Sequence, residues 1–133
     1  MKVLVDTNIL FSALLWPNSK PASVLMDVAV NHEMVICDQS LKEIRSVVER
    51  KVPGRLPDLE VFLAELSYEL IPAVYHAEKL IRDATDQPIL NAAIVYGIDV
   101  IVTGDKDFLS LDLKIPECLN AAEYMDKYSD GDR

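Results

Sequence analysis

Two patterns of hydrophobic and polar positions alternate along the chain. Short apolar runs of strand length recur, and between them lie longer stretches with hydrophobic residues three or four positions apart. We predict five strands, at residues 2–5, 34–37, 69–71, 100–102 and, more weakly marked, 117–119. Strands that alternate with helices are typical of a parallel sheet covered by helices, so the pattern predicts an α/β fold.

The stretches between the strands carry helix signals at their ends. One helix should run from Thr7 to before Pro17, and Ser19 opens a second with Pro21 in its first turn. Hydrophobic spacing predicts further helices around residues 41–48, from Asp58 to about 66 and around 89–96, with a short turn at 77–81 and a last helix from Asn120 to Tyr128. Residues 52–58 are expected to form a loop between helices.

Length and composition bound the class of protein. The chain has 133 residues, of which 50% are hydrophobic and 26% charged, so we expect one globular domain over 1–133 with a frayed tail from about 129. No apolar run is long enough for a bilayer and no signal peptide pattern is present, which predicts a cytoplasmic protein without membrane contact. Cys37, Cys118, His32 and His76 have no zinc spacing and are assigned no chemistry.

Four carboxylates lie where the predicted strands and helices meet. Asp6 follows the first strand and Asp105 the fourth, Glu43 lies in the helix after the second strand, and Asp86 opens the helix before the fourth. The carboxyl ends of parallel strands converge on one crevice, so these side chains are expected at the same edge. Asp83 and Asp107 are close enough in sequence to form a second tier.

Each acid also has a structural explanation. Asp6 could cap a helix, and Ser40 to Glu43 reads SLKE, the sequence of a capping box. Asp86 precedes Gln87 and Pro88 as an ordinary helix opening would, and Asp105 after Gly104 could be a turn residue.

The set as a whole points to a metal. Two carboxylates about 4 Å apart repel by roughly 4 kcal/mol at an effective dielectric constant of 20, so clustered acids require a cation or raised pKa values. With no histidine or cysteine nearby, a hard ion with oxygen ligands is favoured over zinc.

The motifs VDTNIL, SLKEI, RDATDQPILNAA and VIVTGDKDF, in this order and spacing, resemble the PIN (PilT N-terminal) domain family over nearly the whole chain. The resemblance implies a three-layer α/β/α sandwich with a parallel sheet of strand order 3-2-1-4-5. It also implies a ribonuclease that depends on Mg²⁺ or Mn²⁺. Many family members of this size are toxins of toxin-antitoxin pairs, like the virulence-associated protein C toxins, which implies an antitoxin partner and a homodimer.

The resemblance also assigns roles to single residues. Its acidic quartet corresponds to Asp6, Glu43, Asp86 and Asp105, with Asn8 and Thr103 orienting those side chains and Asp83 and Asp107 supporting them. Asp83 remains an alternative third acid. We choose Asp86 because it adjoins the start of a helix.

The charge of the chain limits where RNA could bind. A net charge of −9 argues against general binding to nucleic acid, which is held mainly by lysine and arginine. We assign contact with the RNA backbone to a local basic group, for which a solvated helix face is the alternative: Lys42, Arg45, Arg50, Lys51, Arg55 and Lys106.

Other functions use related features. A PIN-fold module that binds RNA or protein without cutting is the main alternative, and a phosphatase or a DNA nuclease would use similar carboxylates. A Rossmann-type nucleotide binder is excluded because no glycine occurs before Gly54. Phe62, Tyr68 and Leu70 could form a dimer contact, although core packing explains them as well.

Overall fold

The computed structural model describes residues 1–75 and 87–129. The strands are β1 (Lys2–Val5), β2 (Glu33–Cys37), β3 (Glu69–Ile71), β4 (Val100–Val102) and β5 (Glu117–Leu119). The helices are α1 (Thr7–Leu15), α2 (Lys20–Asn31), α3 (Asp38–Lys51), α4 (Leu56–Glu65), α5 (Gln87–Val95), α6 (Lys106–Leu109) and α7 (Ala121–Tyr128), with a 3-10 turn at Pro53–Arg55.

The five strands form one parallel sheet in the order β3-β2-β1-β4-β5. β1 is central, with Leu4 paired to Val35 of β2 on one side and to Ile101 of β4 on the other. The predicted fold class and strand order are confirmed. The order places the carboxyl ends of β1 and β4 side by side, so the residues that follow them are neighbours.

Alternate residues of each strand face opposite sides of the sheet, as the pleat requires. Val3 and Val5 pack with helices α1, α2, α3, α4 and α7, whereas Leu4 packs with α5 and Phe108 of α6 on the other face. Both faces are therefore buried, which explains why the strands read as continuous apolar runs.

Some predicted boundaries differ from the structure. α4 begins at Leu56, two residues before the predicted Asp58, and the predicted loop at 52–58 includes the 3-10 turn. The predicted start of α4 came after Pro57. It was wrong because a proline is tolerated in the first turn of a helix, so that α4 includes Pro57. Hydrophobic periodicity also gave no sign of α6, which is only four residues long.

The three apolar residues considered for a dimer contact differ in burial. Phe62 and Tyr68 are half-buried against the core, which supports the packing alternative, whereas Leu70 is exposed on the edge strand β3. His32 ends α2 and makes an edge-on ring contact with Tyr124. His76 and the predicted turn at 77–81 lie outside the described residues.

None of the helices in the described ranges has the length and apolar character needed to cross a membrane.

Candidate active site

A cleft of about 250 Å³ opens at the carboxyl edge of the sheet. Its walls come from the first turns of α1, from one face of α3 and from the β4–α6 connection. The lining residues are Asp6, Thr7, Asn8, Phe11, Glu43, Val47, Lys51 and Asp105. Three of the four predicted acids, Asp6, Glu43 and Asp105, thus share one cleft, while the predicted Asp83 and Asp86 lie outside the described residues.

Asp6 joins β1 to α1. Its backbone N–H donates to the carbonyl of Val102 at 3.0 Å, which continues the pairing of β1 with β4. Its side chain caps α1, with Oδ1 accepting from the N–H of Thr7 at 2.8 Å. The capping explanation is therefore correct, and it does not compete with a role in the cleft, because capping holds the carboxylate at the cleft wall.

Thr103 links the two central acids. Its buried hydroxyl donates to Asp6 Oδ2 at 2.7 Å and accepts from the N–H of Asp105 at 3.0 Å. Asp105 in turn caps α6 by accepting from the N–H of Asp107 at 2.9 Å. One hydroxyl thus ties the side chain of Asp6, after β1, to the backbone of Asp105, after β4. It is the backbone of Asp107 that contacts Asp105 in this turn.

Asn8 fixes the loop that carries Asp105. Its Oδ1 accepts from the N–H of Gly104 at 3.1 Å, which ties the first turn of α1 to the β4–α6 connection. A Cβ atom at Gly104 would come within 3.3 Å of Asn8 Nδ2. A larger residue here would press on Asn8, whose side chain would have to shift by a few tenths of an ångström.

Glu43 lies on the opposite wall, in the second turn of α3. The capping-box explanation for it is wrong, since α3 begins at Asp38 and Ser40 is buried inside the helix. Glu43 Oε1 instead accepts from the hydroxyl of Thr7 at 3.2 Å. The first residue of α1 therefore connects the two walls of the cleft.

Burial sets the electrostatics of the site. Asp6 is only 6% exposed, and burial raises the pKa of its carboxyl group. The hydrogen bonds from Thr103 and Thr7 lower that pKa, and the charge of Asp105 raises it again. The negative charge on Asp6 is thus costly in the protein alone, and a bound cation would relieve the cost.

The donors at this edge are of one chemical kind. Asp6, Asp105 and Glu43 offer carboxylate oxygens, and none of the residues lining the cleft is histidine or cysteine. This all-oxygen set fits a hard divalent ion such as Mg²⁺ or Mn²⁺. Within residues 1–75 and 87–129, no three His, Cys, Asp or Glu side chains converge tightly enough to hold an ion by themselves.

The predicted basic residues separate into three sets. Arg45 forms two hydrogen bonds to Glu60, at 2.9 and 3.1 Å, and Arg55 pairs with Asp58 at 2.7 Å, so both connect elements of the protein itself. Lys51 is the one member of the predicted group that lines the cleft. Lys42, Arg50 and Lys106 are exposed.

Thr7, Phe11 and Val47 line the cleft although they were not predicted as site residues. The signal for them is helical spacing, because residues four apart share a helix face. Phe11 follows Thr7 by four residues, and Val47 lies midway between Glu43 and Lys51 on α3.

Comparisons with known proteins agree with this fold. A PIN domain family model matches residues 2–107. The structure of VapBC2 from Rickettsia felis was solved with a bound DNA fragment from its promoter. One chain of it is similar to this protein with a TM-score of 0.68 and 19% identity, over 90% of this chain and 98% of that chain. Mycobacterium tuberculosis VapC20, a toxin that cleaves the sarcin-ricin loop, has a TM-score of 0.58 and 13% identity, covering 79% and 91%. No curated protein sequence matches the chain.

Proposed function

The chain belongs to the PIN domain family, and from that premise we propose that it is a divalent-metal-dependent endoribonuclease, acting as the toxin of a toxin-antitoxin pair. One observation carries the proposal. The hydroxyl of Thr103 joins the carboxylate of Asp6 to the backbone N–H of Asp105, and the side chains of both acids line a cleft whose opposite side carries Glu43.

The proposed ligands of the metal are Asp6 and Asp105, with Glu43 and Asp86 holding a second ion or the attacking water. A bound Mg²⁺ or Mn²⁺ would supply activation of water and charge neutralisation at the phosphate. The remaining work falls to the side chains. Thr103 and the N–H of Thr7 keep the carboxylate of Asp6 in a fixed orientation, and Asn8 fixes the loop of Asp105.

The proposed reaction is hydrolysis of an RNA phosphodiester. Water attacks phosphorus in line with the bond to the 3′ oxygen, that bond breaks, and the 3′ oxygen leaves as a hydroxyl after taking up a proton. No nucleophilic side chain is required. We assign the orientation of the water to Glu43, and the hydrogen bond that it accepts from Thr7 at the cleft wall supports this role.

The test is a cleavage assay on a mixed pool of structured and single-stranded RNAs, with Mg²⁺, with Mn²⁺ and with EDTA. We compare the protein with Asp6→Asn, Asp105→Asn and a matched carboxylate variant outside the cleft, Asp112→Asn. Cleavage that requires metal, survives in Asp112→Asn and is lost in the other two is the expected result. Full activity in Asp6→Asn overturns the mechanism.

A binding module that does not cut is the alternative outcome. Thermal unfolding with and without Mg²⁺ separates the two functions, because a ligand at about 100 times its dissociation constant adds roughly 2.7 kcal/mol to stability. No metal-dependent shift, together with RNA that stays intact, would favour the module.

The proposed protein partners are an antitoxin and a second copy of the chain. The VapBC2 structure and the VapC20 toxin support an antitoxin by analogy of fold. The dimer is tested by measuring the mass of the purified protein in solution over a range of concentrations. A monomer at all concentrations overturns it.

A further inference from the structure

The two ends of the cleft differ in chemistry. One end, which we call the acid end, carries Asp6, Glu43 and Asp105, to which the proposed function assigns the reaction. The other, which we call the aromatic end, is formed by Phe11 of α1 with Val47 and Lys51 of α3. The proposed reaction at the acid end uses none of these three side chains.

Phe11 and Lys51 contact each other across the cleft. Lys51 Nζ lies 6.0 Å from the centroid of the Phe11 ring, close enough for a cation–π attraction. Phe11 is half-buried, so its ring packs on the core while one part faces the cleft. Lys51 is exposed at the end of α3, where its ammonium group can exchange water for a phosphate.

We propose that the aromatic end is a subsite for one unpaired nucleotide of the RNA, with the base stacked on Phe11 and a neighbouring phosphate held by Lys51. The proposal rests on the proposed function for the identity of the polymer. It adds a requirement that the acid end does not impose, because a base can reach the ring only when it is unpaired.

The combination of a ring and a cation is the usual basis for binding single strands. Every base has a flat face that can stack on an aromatic ring, and a lysine beside the ring holds the backbone. In a duplex the bases are stacked on each other, and side chains reach mainly the grooves and the phosphates. Val47, four residues before Lys51 on α3, adds a second apolar side chain to the lining of the cleft.

The contact has an ordinary explanation that the test must separate. Lys51 is the last residue of α3, where a positive charge stabilises the helix end, and Phe11 contributes to the core. A purely structural role would change the unfolding temperature of the variants and leave RNA affinity unaffected.

The experiment measures binding by fluorescence anisotropy in the Asp6→Asn protein, so that cleavage does not interfere. The probes are a labelled six-nucleotide single-stranded RNA and the same RNA annealed to its complement, at several salt concentrations. Phe11→Leu should weaken single-strand binding roughly ten- to hundredfold without changing the salt slope, and Phe11→Tyr, which keeps the ring, should restore it. Lys51→Gln should weaken binding and reduce the slope of log affinity against log salt concentration by about one.

Matched controls are Phe62→Leu, which removes a half-buried ring from a different groove, and Lys114→Gln, which removes an exposed charge from the loop before β5. Both should bind like the parent. Single-strand affinity that is unchanged in Phe11→Leu, or equal affinity for the duplex, overturns the subsite.

Failure of the subsite and failure of the nuclease give different results. RNA that binds through Phe11 and Lys51 while the unmodified protein cuts nothing supports the subsite and refutes the nuclease. Metal-dependent cleavage that is as fast in Phe11→Leu as in the parent refutes the subsite alone.

Discussion

Two groups of hydrogen-bonded carboxylates in the described part of the chain each contain a carboxyl group with a shifted pKa, and the two shifts have opposite directions. In the C-terminal network, which comprises Asp27, Glu117, Tyr124, Lys127 and Tyr128, each carboxylate accepts from a side-chain donor. Lys127 and then Tyr128 hold the pKa of Glu117 below its ordinary value. At the acid end of the cleft, burial and a neighbouring carboxylate hold the pKa of Asp6 above its ordinary value.

The comparison separates a stabilising cluster from one that stores an electrostatic cost. The C-terminal network fastens α7 to α2 and β5 with donors that match its charges. The acid end keeps like charges close and partly desolvated, which is the state that a cation would relieve. Shifted pKa values of the second kind mark functional sites more often than those of the first.

The largest effect is expected from Asp6→Asn. Cleavage should fall at least about a hundredfold. Removing a group that only orients a metal ligand lowers activity roughly ten- to hundredfold, and removing a ligand itself should lower it more. In EDTA the variant should melt at a higher temperature than the parent. The folded pKa of Asp6 is raised, so its ionised form lowers stability at neutral pH, and asparagine removes that charge.

Asparagine can also keep the hydrogen bonds of Asp6. Its oxygen accepts from Thr7, and its amide can donate to the hydroxyl of Thr103. The measurement is thermal unfolding in EDTA beside the cleavage assay. A variant that melts below the parent contradicts the account of the acid end as electrostatically costly.

Thr103→Val should have the next largest effect. Valine has the shape of threonine but leaves Asp6 Oδ2 and the N–H of Asp105 without their shared partner. The free energy of unfolding should therefore fall by about 1–3 kcal/mol. Metal affinity, measured by calorimetry, should fall roughly ten- to hundredfold. Thr103→Ser retains the hydroxyl and should stay near the parent, and equal losses in both variants would refute the hydroxyl bridge.

Tyr124→Phe tests the other cluster. The ring remains buried in the core, and the variant loses only the 2.6 Å hydrogen bond to Asp27. We expect a loss of about 1 kcal/mol in the free energy of unfolding. RNA cleavage should not change, because the C-terminal network does not line the cleft. A loss of cleavage in a Tyr124→Phe protein that is fully folded would show that the two clusters are coupled.

Glu117→Gln should have the smallest effect. It should lower the free energy of unfolding by up to about 1 kcal/mol, since the ion pair of Glu117 with Lys127 is partly exposed. The sign of its pH dependence follows from a folded pKa below the ordinary value of 4.5. The stabilisation is present above pH 4.5 and is lost as the pH falls through the lower, folded pKa. Parent and variant should therefore converge in stability at acid pH, as measured by denaturant unfolding. A difference that persists or grows there contradicts the pairing.

Much of the fold could be read from the sequence because its signals are local. Four strands have the predicted bounds. The remaining strand, β2, begins at Glu33, one residue before its predicted start. The last helix, α7, ends at the predicted Tyr128, and Asn120 caps it in a capping box with Glu123. The errors occurred where local signals were short or ambiguous, as with the four-residue α6 and the start of α4 after the 3-10 turn.

The sequence by itself determined the alternation of strands and helices, and with it the edge at which Asp6 and Asp105 emerge, because apolar period and helix caps act between near neighbours. Only the tertiary structure decided that Thr103 bridges those acids, that Thr7 reaches Glu43, and that Arg45 pairs with Glu60. These contacts join residues 15 to 97 positions apart. They depend on the order in which strands pair and on how helices pack, and no spacing along the chain encodes such distances.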